Sequence, residues 1–506
     1  MLKSLRIVIA LLSIVAVTLL FVDFTGTASS LWPWMAQIQF IPALLSLNLV
    51  AIALLLVLTL IFGRVYCSVI CPLGILQDVA NWVRGHVGPK KKRINRFKYS
   101  PGWVKTRLTV MTAFIVLLIF GLLTGLSLSV ASLIEPFSEY GRIATSLFAP
   151  VVDGCNNLLA AWSESQVDNY MFYRVVPAVS IPVIIVAIIT LVIVLVMAWR
   201  GGRDYCNMVC PVGTFLGYIS KFSILKPVIN TNACINCGKC ARNCKAKCIN
   251  AKEHAIDYTR CVACMDCIST CQEGAIKYAY RRPQKHEEPA PTADKSRRGF
   301  VAATGLIAGA LAFNAVGKAD GGLTPLKKKK GCDRKVAIVP AGSHSLRNLT
   351  SSCSACQVCI QSCDYEVLKP STSLDSFMQP YLDFTHGYCH TDCNECSKIC
   401  PAGAIYPIEI AEKSAIKIGN AFVDVDRCLS ATEGVKCLAC SSHCPAGAIK
   451  LVPVEEGSEL RRPVVNEEIC IGCGACEYYC PVGTLEGMDS DCSAIHVEGI
   501  EVHREC

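Results

Sequence analysis

Cysteines at short, repeated intervals, separated by long apolar stretches, constrain the fold of this chain more than any other feature. Of its 33 cysteines, 28 fall into two C-x3-C-P pairs and six four-cysteine runs. Runs spaced C-x2-C-x2-C-x3-C are typical of thiolate ligation to [4Fe–4S] clusters. Structural zinc sites normally lack the third cysteine of such a run. The sequence therefore predicts six [4Fe–4S] clusters and a fold that gathers thiols from separate loops.

The first two runs lie within residues 231–280 and have the regular spacing. Their predicted ligands are Cys234, Cys237, Cys240, Cys244, Cys261, Cys264, Cys267 and Cys271. In two-cluster ferredoxins the fourth cysteine of each run ligates the other cluster, so we expect Cys244 and Cys271 to exchange sites. Lys245 and Gln272 stand where a proline usually follows the run. Cys248 is expected to be a small packed side chain.

Four further runs follow residue 330. Their predicted ligands are Cys353, Cys356, Cys359, Cys363, Cys389, Cys393, Cys396, Cys400, Cys428, Cys437, Cys440, Cys444, Cys470, Cys473, Cys476 and Cys480. We expect a nested pairing of these runs, in which the outer two exchange their fourth cysteines and the inner two exchange theirs. The outer pair is Cys363 and Cys480, and the inner pair is Cys400 and Cys444. Besides Cys248, four cysteines lie outside the pairs and runs, and no part in ligation is expected for them: Cys155, Cys332, Cys492 and Cys506.

Four apolar stretches, at about 6–25, 41–62, 108–130 and 176–199, are each near the length of about 20 residues that crosses a bilayer. The loop between the second and third stretches carries nine basic residues from Arg84 to Arg107 and no acidic one. The 135–175 loop has five acidic residues and two basic ones. Positive residues favour the cytoplasmic side, which predicts a bacterial inner-membrane protein with its N-terminus inside. Because the positive charge lies mostly beside these stretches, we do not attribute the net charge of +9 to nucleic-acid binding.

A proline-containing linker and a predicted twin-arginine-like anchor helix occupy residues 286–319. Ser296-Arg297-Arg298-Gly299-Phe300 precedes a mild apolar run to about Val316, a pattern typical of a twin-arginine signal. An ordinary fifth membrane span is the alternative, and both place residues after about 320 in the periplasm. The lysines from Lys327 to Lys330 would then be outside, against the usual trend. The predicted domains are residues 1–230, 231–285, 286–319 and 320–506.

A twelve-residue motif is repeated within the predicted membrane domain. Gly63-Arg64-Val-Tyr66-Cys67-x3-Cys71-Pro72-x-Gly74 recurs from Gly202 to Gly213 with seven positions identical. Each copy follows an outside-to-inside stretch, which indicates two parallel repeats about an axis along the membrane normal. The repeats would bring together four thiols at one depth, and these predicted cofactor-binding residues are Cys67, Cys71, Cys206 and Cys210. They hold a seventh cluster or do other redox work, or else they only shape the helix ends.

The predicted fold class is an α-helical membrane domain, with four spans as two parallel repeats plus a fifth anchor helix, and α+β ferredoxin-like iron–sulfur domains on both sides. The sequence has no C-x-x-C-H haem site and no histidine in a predicted span. It also has no Gly-rich dinucleotide fingerprint and no P-loop. These absences favour an electron-transfer chain without a catalytic nucleotide site.

With these motifs, residues 1–285 resemble NapH and residues 296–506 resemble NapG, the ferredoxin-type proteins of periplasmic nitrate reductase systems. The resemblance implies a quinol dehydrogenase that oxidises membrane quinol, with menaquinol the expected form, and passes electrons to a periplasmic cytochrome c or reductase. Other membrane electron-transfer subunits would be further partners. The alternatives are an outward conduit fed by ferredoxin, and an iron–sulfur maturation or regulatory factor.

Quinol oxidation releases protons and therefore needs polar groups near the membrane. The residues considered for this role are Asp23, Glu135 and Glu139 on the outer face and Asp78 and His86 on the inner face. Trp32 and Trp34 would line a quinone pocket. Each also has a structural interpretation, as a solvated helix-end residue or as part of an interfacial aromatic belt.

Overall fold

The computed structural model describes residues 2–23, 27–87, 97–102, 104–124, 129–166, 181–280, 329, 331–454, 460–482 and 492–505. The predicted linker and anchor at 286–319, the lysine-rich segment at 90–93 and Cys506 lie outside these residues. The anchor helix and the twin-arginine interpretation therefore stay predictions.

Helices make up most of the described residues up to Ser220. In chain order they are α1 Leu2–Val22, α2 Thr27–Leu31, α3 Trp34–Gln37, α4 Phe40–Leu45, α5 Leu49–Phe62, α6 Tyr66–Val69, α7 Pro72–His86, α8 Val104–Thr124, α9 Ser129–Ser132, α10 Pro136–Ile143, α11 Ala149–Gln166, α12 Ile181–Gly201, α13 Asp204–Met208 and α14 Pro211–Ser220. A π-helical segment, Ala144–Phe148, joins α10 to α11. Helices α1, α8 and α12 are long and apolar enough to cross a membrane.

The predicted span at 41–62 is wrong as a single helix. The chain breaks between α4 and α5, where Leu47 adopts a left-handed φ of 53° and the Asn48 side chain caps the new helix by accepting a hydrogen bond from Ala51 N. Helix α5 has 14 residues, a length of about 21 Å at about 1.5 Å per residue. A polar cap in the middle of an apolar run therefore divides the predicted span.

The segment Leu225–Tyr280 forms a compact unit, which we call the two-cluster unit. Its strands and helices are β1 Leu225–Ile229, α15 Lys239–Asn243, β2 Ile249–Asn250, β3 Ala255–Ile256, α16 Asp266–Thr270 and β4 Ile276–Tyr280, with a 3₁₀ turn at Thr231–Ala233. Strands β1 and β4 pair antiparallel from Leu225 opposite Tyr280 to Ile229 opposite Ile276. The two cysteine runs lie between these paired ends.

The described residues from 329 to 505 form a larger unit, which we call the four-cluster unit. Its elements are α17 Leu346–Ser352, α18 Val358–Gln361, β5 Leu368–Pro370, β6 Pro380–Leu382, α19 Glu395–Ile399, α20 Ile410–Lys413, β7 Ile416–Val423, α21 Leu429–Thr432, α22 Ala439–Ser442, β8 Ile449–Pro453, β9 Arg461–Val465, α23 Ala475–Tyr479 and β10 Ile495–Glu505, with 3₁₀ turns at Leu374–Ser376 and Val425–Arg427. Its two-stranded antiparallel sheets pair β5 with β6, β7 with β10 and β8 with β9.

The two units contact opposite ends of the helical bundle. At one end, Lys3 at the start of α1 pairs with Asp266 of the two-cluster unit at 3.0 Å. At the other end, Val183 in the first turn of α12 packs with Ala355 and Met378 of the four-cluster unit. Since α1 and α12 each have 21 residues, the units are separated by about 30 Å of helix.

Candidate iron–sulfur centres and the thiols between them

In the two-cluster unit, each run lends its fourth cysteine to the other. One cavity is lined by Cys234, Cys237, Cys240 and Cys271. A second cavity is lined by Cys244, Cys261, Cys264 and Cys267. The residues directly before α15 and α16, Gly238 and Met265, adopt the left-handed backbone conformation, which turns the chain out of each cysteine loop into the helix. The structure thus brings together the two thiol sets that the sequence predicts.

The nested pairing predicted for the four-cluster unit is wrong, because consecutive runs exchange their fourth cysteines instead. Cys400 lies within electrostatic range of the first three cysteines of the first run. Cys363 lines a cavity with those of the second. Cys480 interacts with Cys440, and Cys444 with Cys473. The physical reason is that α18 packs against α19 and α22 against α23, so each neighbouring pair of runs closes on itself.

The arrangement of these sulfur atoms favours a cluster over a single metal ion. The thiols of three of the sets each surround a cavity. A multi-iron cluster needs such a space between its thiolate ligands, whereas a tetrahedral zinc site does not.

Two cysteines outside the predicted ligand runs form a disulfide. Cys332 and Cys492, 160 residues apart in sequence, are joined across the four-cluster unit. The sequence analysis did not predict this bond, because neither cysteine belongs to a run and their separation carries no local signal. Disulfides persist in oxidising compartments and are rare in the cytosol. Cys155 is exposed and free, and Cys248 is buried, with its sulfur 3.5 Å from that of Cys244.

The two C-x3-C-P pairs meet in one buried site, whose thiols we call the motif thiols: Cys67, Cys71, Cys206 and Cys210. Cys210 is within electrostatic range of the other three, and all four side chains are at most 4% exposed. Hydrogen-bond donors surround the sulfurs. Gln77 Nε2 lies 3.1 Å from Cys206 Sγ, and Gly213 N lies 3.3 Å from Cys210 Sγ.

Two fully buried arginines cross between the repeats at this site. Arg64 of the first copy donates to the Cys206 carbonyl at 3.2 Å, and Arg203 of the second donates to the Cys67 carbonyl at 2.7 Å. The other hydrogen-bond acceptors of Arg64 in the described residues are Asn207, Thr259 and Cys67 Sγ, so it has no carboxylate partner there. A buried cation needs a counter-charge. Thiolates bound to an anionic cluster would supply it, so the site fits such a group.

The other repeated positions have matching structural roles. Gly63 and Gly202 adopt left-handed φ values of 69° and 79° where the spans end. The two prolines begin α7 and α14, where a missing N–H is tolerated. A methyl group at Gly74 would lie 2.2 Å from the Cys67 carbonyl oxygen and 2.7 Å from Arg203 Nη1. Gly213 faces the equivalent pair of atoms at 2.2 and 2.9 Å. These glycines therefore leave room for the crossing arginines.

On one side, the motif thiols are close to the two-cluster unit. Arg203 N donates to the Lys245 carbonyl at 2.8 Å, and Lys245 directly follows the predicted ligand Cys244. Arg64 reaches the Thr259 carbonyl, two residues before Cys261. Each copy of the motif therefore touches the chain next to a predicted ligand of the second cavity.

On the other side, α10 connects the motif thiols to the four-cluster unit. The hydroxyl of Tyr205, next to Cys206, donates to the buried carboxylate of Glu139. Two residues along α10, Gly141 lies so close to the carbonyl of Cys356 that a methyl group there would be 2.3 Å from its oxygen. Thr145 and Gln357 form a further hydrogen bond at 2.7 Å. These contacts form a continuous path from the motif thiols to Cys356, a predicted ligand in the four-cluster unit.

Most of the residues considered for quinol chemistry have structural roles. Asp23 accepts from Ala28 N at 2.6 Å, and Glu135 caps α10. Trp32 Nε1 donates to the Ala16 carbonyl, whereas Trp34 is 53% exposed. The His86 ring lies over Trp82. Glu139 joins Tyr205 as described above. Glu135 and Glu139, at the start of α10, lie close together beside the buried Arg142.

Asp78 is the exception, because it stands in a buried cluster of charges. It pairs with Arg6 at 2.9 Å, Arg203 at 2.8 Å and Lys245 at 3.0 Å, and Lys245 also pairs with Asp266 at 3.1 Å. Burial would lower the pKa of Lys245, but Asp78 and the other nearby negative groups outweigh burial and raise it. The sequence signal for Lys245 was its place after Cys244 instead of proline. Gln77, which bonds Cys206, had no such signal.

Lys329, one of the lysines at 327–330, has hydrogen-bond partners in the four-cluster unit. Its amine donates to the carbonyls of Glu477, Tyr478 and Cys480 at the end of α23. Positive charge at a helix C-terminus is stabilising. At least this lysine therefore has a structural role beside a predicted ligand, whatever its effect on membrane topology.

Comparison with known proteins identifies the family of this chain. A family model described as a 4Fe-4S binding domain matches residues 45–91 and 183–229, which contain the two C-x3-C-P motifs. A 4Fe-4S dicluster domain model matches residues 435–484. The ferredoxin-type protein NapG of Escherichia coli is 32% identical over 195 residues, covering 36% of this chain and 80% of NapG. This chain belongs to the NapG family of ferredoxin-type proteins. It is therefore an electron-transfer protein of the polyferredoxin type.

Other relatives share the same character over part of their length. The putative electron transport protein YccM of Escherichia coli is 22% identical over 49% of this chain and 60% of YccM. The methylamine utilization ferredoxin-type protein MauN of Paracoccus denitrificans is 27% identical over 42% of this chain and 56% of MauN. The chain thus spans less than two thirds of these relatives. No solved structure matches it.

Proposed function

We propose that this protein oxidises membrane quinol and conducts the electrons across the bacterial inner membrane to a periplasmic cytochrome c or reductase. The NapH-like character of residues 1–285 is part of this proposal. The observation that carries it is the position of the motif thiols. They lie between two cysteine-rich units at opposite ends of one helical bundle and have packed contacts toward both.

The orientation follows from charge and from the disulfide. The basic loop after α7 favours the cytoplasm for the end that carries the two-cluster unit. The Cys332–Cys492 disulfide is suited to an oxidising compartment, which supports the periplasm for the four-cluster unit. The two observations are independent, and both support a proposal in which the two ends of the bundle lie on opposite sides of the membrane.

The cysteine sets would hold six [4Fe–4S] clusters, and the motif thiols a seventh. When bound, such a cluster accepts and releases one electron at a time. The protein provides the ligands, excludes water from the motif thiols and places Arg64 and Arg203 against them. Two permanent positive charges favour the more negative, reduced state of a centre at this position.

The test uses protein in sealed vesicles that enclose ferricyanide, with menadiol added outside, and protein-free vesicles give the rate at which menadiol itself crosses the bilayer and reduces ferricyanide. We expect the wild type to reduce the enclosed ferricyanide faster than this background rate. The double substitution Cys67→Ser and Cys206→Ser should slow this reduction by roughly tenfold or more, while dithionite still reduces the clusters of both units. Cys155→Ala, at an exposed cysteine outside every run, is the matched control. An unchanged rate in the double variant would remove the motif thiols from the path.

A ferredoxin-fed conduit is the second candidate, and one observation favours it. In the first run of the two-cluster unit, Cys237 is exposed and Ile235 is 66% exposed. An exposed apolar side chain beside a predicted cluster suits docking of a small redox protein. Under this alternative, reduced ferredoxin would reduce every cluster whereas menadiol would reduce none.

A further inference from the structure

A cavity with a volume of about 590 Å³ lies between α1 and α7, beside the membrane helices. Its walls divide into two parts. Ile7, Leu11 and Val79 give it an apolar side, while Arg6, Asn81 and Lys245 lie at the polar side. This size and composition match small-molecule sites, which combine apolar walls with a few fixed polar groups.

The apolar side faces outward from the bundle. Leu11 is 51% exposed, Val79 41% and Trp82 63%, although all three lie on helices of the membrane domain. In a bilayer these side chains would contact lipid tails, so a molecule dissolved in the membrane can enter the cavity between them. The entrance therefore favours an apolar ligand that dissolves in the bilayer.

The polar side contains hydrogen-bonding atoms without protein partners. Asn81 is 6% exposed and donates through Nδ2 to the carbonyls of Gln77 and Gly202. Throughout the described part of the chain, neither Asn81 Oδ1 nor Arg6 Nε has a hydrogen-bond partner. An acceptor and a donor left unpaired in a buried place are costly unless a ligand or water satisfies them. Both residues line the cavity, and a hydroxyl group offers both a hydrogen-bond donor and an acceptor.

The cavity also touches the two-cluster unit. Asp266 and Thr270 line it, and they directly precede the predicted ligands Cys267 and Cys271. A molecule in the cavity would therefore be next to both cysteine sets of this unit. This contact connects a site open to lipid with the start of the electron path.

We propose that this cavity is the quinol site, with Asn81 and Arg6 binding a ring hydroxyl and Val79 and Trp82 flanking the ring. The inference rests on the proposed function and deepens it by giving the site and the side of the reaction. Quinol loses two electrons and two hydroxyl protons and becomes quinone. The electrons pass singly to the two iron–sulfur clusters of the two-cluster unit, which are the oxidant. The protons leave to water beside Lys3, at the end of the bundle that carries this unit.

Two measurements on detergent-purified protein test the site. Menadione binding is measured by titration calorimetry, and reduction of the clusters by menadiol is followed by absorbance. Val79→Trp fills the entrance at an exposed position, and Asn81→Leu removes the free acceptor. We expect each substitution to weaken menadione binding and to slow cluster reduction by tenfold or more, with dithionite reduction unchanged. Val192→Trp, at a 51% exposed position on α12, is the control and should change neither measurement.

The outcomes separate this inference from the proposed function. If menadiol reduces the clusters of the wild type and of both variants equally fast, the cavity is not the quinol site and a lipid is its better occupant. If menadiol reduces no cluster of the wild type while dithionite does, the proposed function itself fails. Unchanged menadione binding in both variants would overturn the site irrespective of the state of the clusters.

Discussion

The two copies of the twelve-residue motif build the same thiol site but attach it to different neighbours. In the first copy, Tyr66 donates to the amide oxygen of Gln39 at 2.9 Å. In the second, the equivalent Tyr205 donates to the carboxylate of Glu139, on the helix that reaches the four-cluster unit. The repeated positions therefore form the centre, and the positions that differ connect it to its surroundings.

The arginines differ in the same way. Arg64 has no carboxylate among its hydrogen-bond acceptors in the described residues. Arg203 pairs with Asp78, which also pairs with Arg6 and Lys245. The second copy therefore contacts the two-cluster unit through Arg203 and, through Tyr205, the helix α10 that reaches the four-cluster unit. The motif thiols therefore occupy equivalent positions in the two copies, whereas the contacts of each copy with neighbouring elements differ.

The largest expected difference is between the arginines. Arg203→Met should lower the free energy of unfolding by about 3–5 kcal/mol, because it removes one partner of a buried ion pair. Arg64→Met should cost about 1–3 kcal/mol, since it leaves hydrogen-bond acceptors but no carboxylate unpaired. Chemical denaturation in detergent measures both. Adding Asp78→Asn to Arg203→Met should recover part of the loss, and equal costs for the two arginines would contradict the asymmetry.

The glycines test the symmetric part of the comparison. Gly74→Ala and Gly213→Ala should each cost about 3 kcal/mol and disturb the motif thiols, because a methyl group would meet a carbonyl oxygen at 2.2 Å in both copies. Gly154→Ala is the control on α11, where nothing lies within 4 Å of the new methyl group. It should stabilise the helix by about 0.5–1 kcal/mol. Thermal unfolding and thiol labelling report the result, and a tolerated Gly213→Ala would break the symmetry.

The tyrosines give the smallest expected effect on stability. Tyr66→Phe and Tyr205→Phe should each cost about 1–2 kcal/mol through a lost buried hydrogen bond. They should differ in electron transfer between the two units, which Tyr205→Phe slows more because Tyr205 donates a hydrogen bond to Glu139 on α10, whereas Tyr66 donates to Gln39. Stopped-flow reduction of the four-cluster unit by menadiol measures this rate. A larger effect of Tyr66→Phe would mean that the path runs through the first copy.

Part of the site could be predicted because it depends on local spacing. The exchange of Cys244 and Cys271 follows from two regular runs that are adjacent in sequence. The meeting of the motif thiols follows from an internal repeat, since two copies of one structure related by an axis bring the same residues together. In both cases the sequence predicts which cysteines share a site, as well as which cysteines are candidate ligands.

The remaining features needed the tertiary structure, because they join residues whose relation is not written in any spacing. Four runs of similar pattern are equivalent as sequence, and only the packing of α18 on α19 and of α22 on α23 selects their partners. The same holds for the Cys332–Cys492 disulfide and for the helix break at Asn48. By itself the sequence determined the chemistry, through cysteine spacing, apolar length and a duplicated motif. The tertiary structure decided which thiols share a centre and where α1 and α7 leave a cavity, because long-range contacts depend on how complete elements pack.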